Sequence, residues 1–227
     1  MNKLIVVVEG QTEQTFVDRI LRPHLRSKGV YDVFTPLLNK SGTRGGIVRY
    51  GRARSVLLKF LKQDREAFIT TMVDYYGLPH NWPERDTTAT LPHSQKAIRI
   101  EKAIAQDICR EMGNSFNAAR FSPYIQMHEF EALLFSQPGV LAQVMQRSAD
   151  VASLEQIAAE FNSPEEINDH ADTALSKRLL RLFPDYNKVL YGNIAAKRIG
   201  LQIMREKCPH FHDWVTQLEA LGAADVG

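Results

Sequence analysis

The stretch Leu4-Ile-Val-Val-Val-Glu-Gly-Gln-Thr-Glu13 decides the fold. Residues 5–8 are β-branched without polar alternation, which is the pattern of a strand buried on both faces of a parallel sheet. Glu9 ends the run, and Gly10 permits a tight turn. Thr12 is expected to cap the next helix, with Glu13 in its first turn, where the helix dipole favours negative charge. In an open α/β sheet, ligands bind at the carboxyl ends of strands, so topology puts Glu9 where chemistry happens. A phosphate-binding loop would carry several glycines and a following Lys-Ser or Lys-Thr, and this junction has neither. A carboxylate there suits a divalent cation or proton transfer. The competing reading takes Glu9 and Glu13 as solvated charges at a helix start.

Outward from this junction, the order predicted is strand, helix, strand. A helix is expected over 12–27, with Phe16, Val17, Ile20, Leu21 and Leu25 on one stripe and a kink at Pro23. An extended segment over 30–38 leads into a glycine-rich basic loop over 40–46 and a helix through Val56, Leu57, Phe60 and Leu61. A strand over 68–73 ends at Asp74 much as the first ends at Glu9. If these two strands are parallel neighbours, as right-handed β-α-β connections favour, both acids emerge at one edge within reach of one ion.

A long surface loop over 75–94 follows, then a helix over 95–112 and a fourth strand over 121–127 ending in His128-Glu-Phe-Glu131. If that end is extended, Glu129 and Glu131 share a face; if it is helical, His128 and Glu131 do. His128 beside Glu129 reads as a proton shuttle or as a satisfied histidine at a strand end. Beyond Ser136 the pattern is helical, broken at Pro138, Pro164, Pro184 and Pro209. The expected architecture is α/β, with a parallel-sheet core over 1–135 flanked by helices and a helical extension over 136–227 packed on it.

The 227 residues are 44% hydrophobic, enough for one large α/β domain, and the net charge is only +2. No apolar run approaches the roughly 20 residues a bilayer requires, so a soluble cytoplasmic protein without membrane contact is expected. The two cysteines, Cys109 and Cys208, form no disulfide framework and fit a reducing compartment. Charge is unevenly distributed. Lys40, Arg44, Arg49, Arg52, Arg54, Lys59, Lys62 and Arg65 face one acid, Asp64, and a second basic segment includes Lys177, Arg178, Lys188, Lys197 and Arg198. These segments predict a polyanionic partner such as DNA or RNA, against ordinary solvated helix faces. Phe183, Tyr186 and Tyr191 read as a nucleic-acid surface or as core. Cys208-Pro-His-Phe-His212 has no usual zinc spacing and reads as a helix start with Phe211 and Trp214 packed inside.

Strand ends carrying acids, the first as Glu9-Gly-Gln-Thr-Glu13, resemble the Toprim fold of primases, type IA and II topoisomerases and overcoming-lysogenization-defect nucleases. More closely, the chain resembles a bacterial Toprim-like family of about this length, a domain of unknown function, some members of which work beside an ATPase in anti-phage defence. The matching stretches are Val8-Glu-Gly-Gln-Thr-Glu13, Asp74-Tyr-Tyr-Gly-Leu-Pro79, the segment from Tyr124 through His128-Glu-Phe-Glu131 to Phe135, Glu166-Ile-Asn168, Ser176-Lys-Arg178 and Cys208-Pro-His-Phe211.

The resemblance implies a nuclease using Mg2+ or Mn2+, in which Glu9 is the acid or base. Asp74 with Glu129 or Glu131 would hold the metal, Glu13 would be an additional ligand, and Lys188 would supply positive charge to the transition state or bind a backbone phosphate. Many Toprim proteins carry Asp-x-Asp where this chain has Asp74-Tyr75-Tyr76, so one expected ligand is missing. That departure keeps open a catalytically silent module, binding a nucleotide, nucleic acid or partner protein. An ATPase partner and self-association are both compatible with the resemblance.

Overall fold

The computed structural model describes residues 3–39, 48–167 and 174–223. Its centre is a parallel sheet. β1 (Lys3–Val8) lies between β2 (Asp32–Phe34) and β3 (Phe68–Asp74), giving the order β2-β1-β3-β4, where β4 is Phe121–Ser122. β5 (Ile125–Gln126) also pairs with β3, farther along it. Val8 lies opposite Met72, so β1 and β3 run out at the same edge. The expected adjacency of the first and third strands is therefore what the sheet contains.

The unbroken apolar character of β1 follows from burial on both sides. Leu4, Val6 and Val8 point into one core, whereas Ile5 and Val7 point into another, as the two-residue period of a strand requires. All five are at most 2% exposed. At roughly 1.5–3 kcal/mol for each fully buried aliphatic side chain, no single polar substitution in this strand would be mild.

Helices cover both faces. In chain order they are α1 (Gln11–Phe16), α2 (Arg22–Ser27), α3 (Tyr50–Gln63), α4 (His93–Met112), α5 (Glu131–Leu134), α6 (Pro138–Val144), α7 (Val151–Ala159), α8 (Leu175–Leu182), α9 (Asn193–Ile199), α10 (Leu201–Lys207) and α11 (Pro209–Ala223). Ile5, Val7, Ile69 and Val73 pack with Leu57 and Leu61 of α3 and Ile100, Ile104 and Ile108 of α4. On the other face, Leu4, Val6, Val8 and Met72 pack with Phe16, Leu21 and Leu25 and with the helices beyond residue 130, through Phe130, Phe211 and Trp214. Two of the prolines serve as helix starts, where a missing N–H costs nothing: Pro138 opens α6 and Pro209 opens α11. Phe211 and Trp214 are buried as expected, and so are Phe183 and Tyr186, so the last two belong to the core.

Local departures from expectation have physical causes. The first helix, from Gln11, is capped at Gly10 rather than at Thr12, and the Glu13 carboxylate accepts the Gly10 N–H at 3.1 Å. Ahead of Pro23 the helix passes through a π turn at Val17–Leu21, which widens the hydrogen-bond register just before the residue that cannot donate. The fourth strand is split at Pro123. There Thr71 substitutes for the ladder, its hydroxyl donating to Tyr124 O (2.8 Å) and accepting from Tyr124 N (2.9 Å). The segment after β3 is not a plain surface loop, because Tyr75, Leu78 and Trp82 are buried. Trp82 Nε1 donates to Val48 O, and the Arg85 guanidinium lies 4.1 Å from the Tyr75 ring centre.

Candidate active site

The carboxyl edge of β1 and β3 gathers most of the acids singled out in the sequence. Glu9, one residue past β1, accepts the backbone N–H of Asp74 at 3.1 Å, while its own N–H donates to Met72 O. Glu13 is directed back over the turn by its bond to Gly10. Both positions follow from the strand-turn-helix junction read in the sequence.

The third element is the turn after β5. His128 is buried and adopts a left-handed conformation with φ of 59°, which is costly for a residue with a Cβ and is held by Tyr76 N donating to His128 O. The turn is neither a continued strand nor a helix at His128, so Glu129 and Glu131 leave it by a local bend rather than on the face of a regular element. Glu129 turns toward α8, where its two oxygens accept from Ser176 N (2.9 Å) and Ser176 Oγ (2.7 Å). Glu131, in the first turn of α5, turns instead toward Lys188, which it shares with Asp74.

Lys188 joins the cluster from far along the chain. Its Nζ lies 2.8 Å from Asp74 Oδ2, 3.1 Å from Glu131 Oε2 and 3.7 Å from Glu13 Oε1. Because these oxygens share one neighbour, no two are farther apart than the sum of their distances to it. The carboxylates are nearly inaccessible, Glu131 fully so, whereas the Lys188 side chain is 30% exposed.

The charge is unbalanced. Among the described residues, the ion pairs of Glu13, Asp74 and Glu131 that are seen all go to Lys188, whose charge also acts on Glu9. Burial, then the charges of Asp74 and Glu13, hold the Glu9 carboxyl well above the ordinary range. Burial and Asp74 raise Glu13 as well. Burial pushes Glu131 up to about 7 despite Lys188. For Lys188 itself burial opposes the charge, but Asp74, Glu131 and Glu13 outweigh it and hold the ammonium well above its ordinary value. A buried carboxyl whose proton affinity is raised by its surroundings is a candidate for proton transfer.

The donor set suits a hard divalent cation. Asp74 Oδ1 and Glu131 Oε1 are buried without a hydrogen-bond partner, and every acidic donor is oxygen. Among the described residues, no group of three or more His, Cys, Asp and Glu side chains is arranged to hold a metal as it stands. The Lys188 ammonium occupies the point around which Asp74, Glu131 and Glu13 gather. Tyr76, two residues past Asp74, is half-buried and adds no carboxylate.

The basic residues are more scattered. Lys40 and Arg44 lie outside the described residues. Arg49 and Arg52 are exposed at the start of α3, which connectivity puts at the carboxyl edge. Lys177 is exposed beside Ser176, whereas Arg178 is half-buried. Lys197 and Arg198 are exposed on α9, and Lys197 lines a groove of about 500 Å³ with Arg19, Asn187, Val189, Leu190 and Ile194. Two contributors escaped the sequence reading. Ser176 anchors Glu129, and the Tyr186 phenol lies against Glu131, its proton held well above the ordinary range by burial and then by that carboxylate. Both stand in segments quoted for other reasons, Ser176-Lys-Arg178 and Phe183 to Lys188, with no periodicity to mark them.

The family described as Domain of unknown function (DUF4276) matches residues 8–219. The solved C-terminal region of the Xanthomonas campestris pv. campestris OLD protein is similar at 15% identity, with 98% of this chain and 96% of that chain covered and a TM-score of 0.44. No curated protein matches the chain. Among the described residues, no helix is long and apolar enough to cross a membrane.

Proposed function

The chain belongs to the DUF4276 family, and we propose that it is a Toprim-like, magnesium-dependent nuclease that hydrolyses phosphodiester bonds of DNA or RNA. The observation that carries this reading is the gathering of Glu9, Glu13, Asp74 and Glu131 with Lys188 at the carboxyl edge of a parallel sheet. Asp74, Glu131 and Glu13 would hold Mg2+ or Mn2+. Such an ion, when bound, would polarise the phosphate and acidify a water.

The remaining roles fall to the chain itself. Glu9, fixed by the Asp74 amide, takes the proton of the attacking water. Lys188 offers its positive charge to the phosphate oxygens as negative charge builds on them. Glu129, committed to Ser176, supports α8 and stays out of the reaction. Arg49, Arg52, Lys177, Lys197 and Arg198, with Lys40 and Arg44, guide the polyanion toward the edge. The sequence resemblance supports a setting in anti-phage defence beside an ATPase partner.

A specific observation favours a second reading, a catalytically silent binding module. Tyr76 replaces an acid, and Lys188 already neutralises part of the cluster. One experiment separates the two. The full chain, alone and with an ATPase encoded beside it where there is one, is incubated with Mg2+ or Mn2+ and labelled single- and double-stranded DNA and RNA. The nuclease reading expects cleavage that Asp74→Asn and Glu131→Gln abolish. Binding without cleavage of any of these substrates leaves the silent module.

A further inference from the structure

We propose that Lys188 is a tethered counter-cation, which a divalent ion must displace in order to occupy the acidic cluster. The lysine would thereby set the metal concentration at which the site fills. This inference rests on the metal-binding reading above.

Three observations carry it. First, the ammonium already holds the position a metal would need, with contacts of 2.8 Å to Asp74 and 3.1 Å to Glu131. The first is a hydrogen-bonded ion pair and the second an ion pair without a hydrogen bond, both longer than the roughly 2.0–2.1 Å at which oxygen binds Mg2+. Two cations cannot share that space, because at such separations they repel strongly even in a moderately polarisable interior.

Second, the lysine does not saturate the site. Asp74 Oδ1 and Glu131 Oε1 remain buried and unpartnered beside it. A divalent ion with about six oxygen positions would satisfy acceptors that one ammonium leaves unmet.

Third, Lys188 can leave and its partners cannot. Asp74, Glu13 and Glu131 are held by the sheet end and two helix starts and are at most 7% exposed, whereas the lysine side chain is 30% exposed on a flexible stem. It opens a π turn, Lys188–Gly192, whose next residues Val189 and Leu190 are 37% and 53% exposed. On displacement the head group moves outward, to where a substrate phosphate would approach the edge.

Mn2+ binding to the full chain, measured by calorimetry and by electron paramagnetic resonance without any nucleic acid, tests this. Lys188→Met is expected to bind Mn2+ at least about tenfold more tightly than the wild type, since a competing charge has been removed. Lys188→Arg, which keeps the charge, is expected to gain no affinity, and Asp74→Asn to lose it. In the wild type, the Lys188 Nζ resonance should lose its ion-paired shift as Mg2+ is added. That measurement decides the matter if Lys188→Met does not fold. Wild-type binding that Lys188→Met fails to tighten, or a Lys188 resonance unmoved by a bound ion, overturns the displacement while leaving the metal site intact. If neither wild type nor Lys188→Met binds Mn2+ at millimolar concentration, the metal reading fails and the displacement with it.

Discussion

The Glu9 carboxylate accepts the backbone N–H of Asp74 at 3.1 Å, so a side chain continues the pairing of β1 and β3 beyond Val8 and Met72, where the ladder ends. An amide oxygen can accept the same bond. Glu9→Gln should therefore leave unfolding free energy within about 0.5 kcal/mol of wild type, as for a substitution that breaks no buried contact. It should cut cleavage at least about a hundredfold, because an amide is a far weaker base. Denaturant melts and single-turnover cleavage, measured side by side, check both halves.

Glu129 and Glu131 are two residues apart and have separate tasks. Glu129→Ala removes both acceptors from Ser176 and should destabilise the protein by about 2 kcal/mol, the loss of charge-assisted hydrogen bonds at the α8 start. Hydrogen exchange should rise in residues 175–182. Mn2+ affinity should stay within about twofold of wild type, in contrast to Glu131→Gln.

How far these tasks could be read in advance depended on how local their causes are. Glu9 and Asp74 were legible because each ends an apolar strand, and strand-end chemistry depends only on neighbours in sequence and the handedness of the crossover. The parallel sheet was legible for the same reason. What separates Glu129 from Glu131 is the left-handed backbone at His128, which no periodicity announces in a residue with a Cβ. The break of the fourth strand was announced by Pro123, but its repair by Thr71 is a contact 53 positions away. Lys188 was noticed as a charge, although its seat among three acids depends on tertiary packing alone.

His210 gives a pH dependence away from the acidic edge. Burial acts to lower its pKa, but the Glu101 carboxylate at 2.8 Å outweighs burial and raises it above the ordinary 6.5. A histidine that binds its proton more tightly when folded adds stability that is complete below 6.5 and lost as pH rises through the higher folded value. Unfolding free energy should thus fall from pH 6 toward pH 9. Glu101→Gln should flatten that slope, and NMR titration should put the His210 midpoint above 6.5.

Gly222 is irreplaceable for steric reasons. A Cβ there would meet Lys28 O at 1.9 Å, where α11 crosses the end of α2, and the obstacle is backbone rather than a side chain that can turn aside. Gly222→Ala should cost about 3 kcal/mol or more, since helix and turn must separate. Gly51→Ala, with no atom within 4 Å of the added carbon, should leave stability nearly unchanged or raise it slightly. Comparing the two melting temperatures checks the prediction.

The bond between Lys188 and Asp74 joins residues 114 positions apart, which gives the acidic edge a history during synthesis. When the ribosome has delivered only the strands and the first helices, the carboxylates at the edge have no ammonium to offset their mutual repulsion. Leu4, Val6 and Val8 likewise await Phe211 and Trp214. The nascent chain therefore carries a sheet whose one face is covered only in part, by Phe16, Leu21 and Leu25, together with an acidic rim, and both are closed by the same late segment. At translation speeds of about 5–20 residues per second, that interval lasts several seconds to some tens of seconds. The edge is complete only once Lys188 has left the exit tunnel and docked.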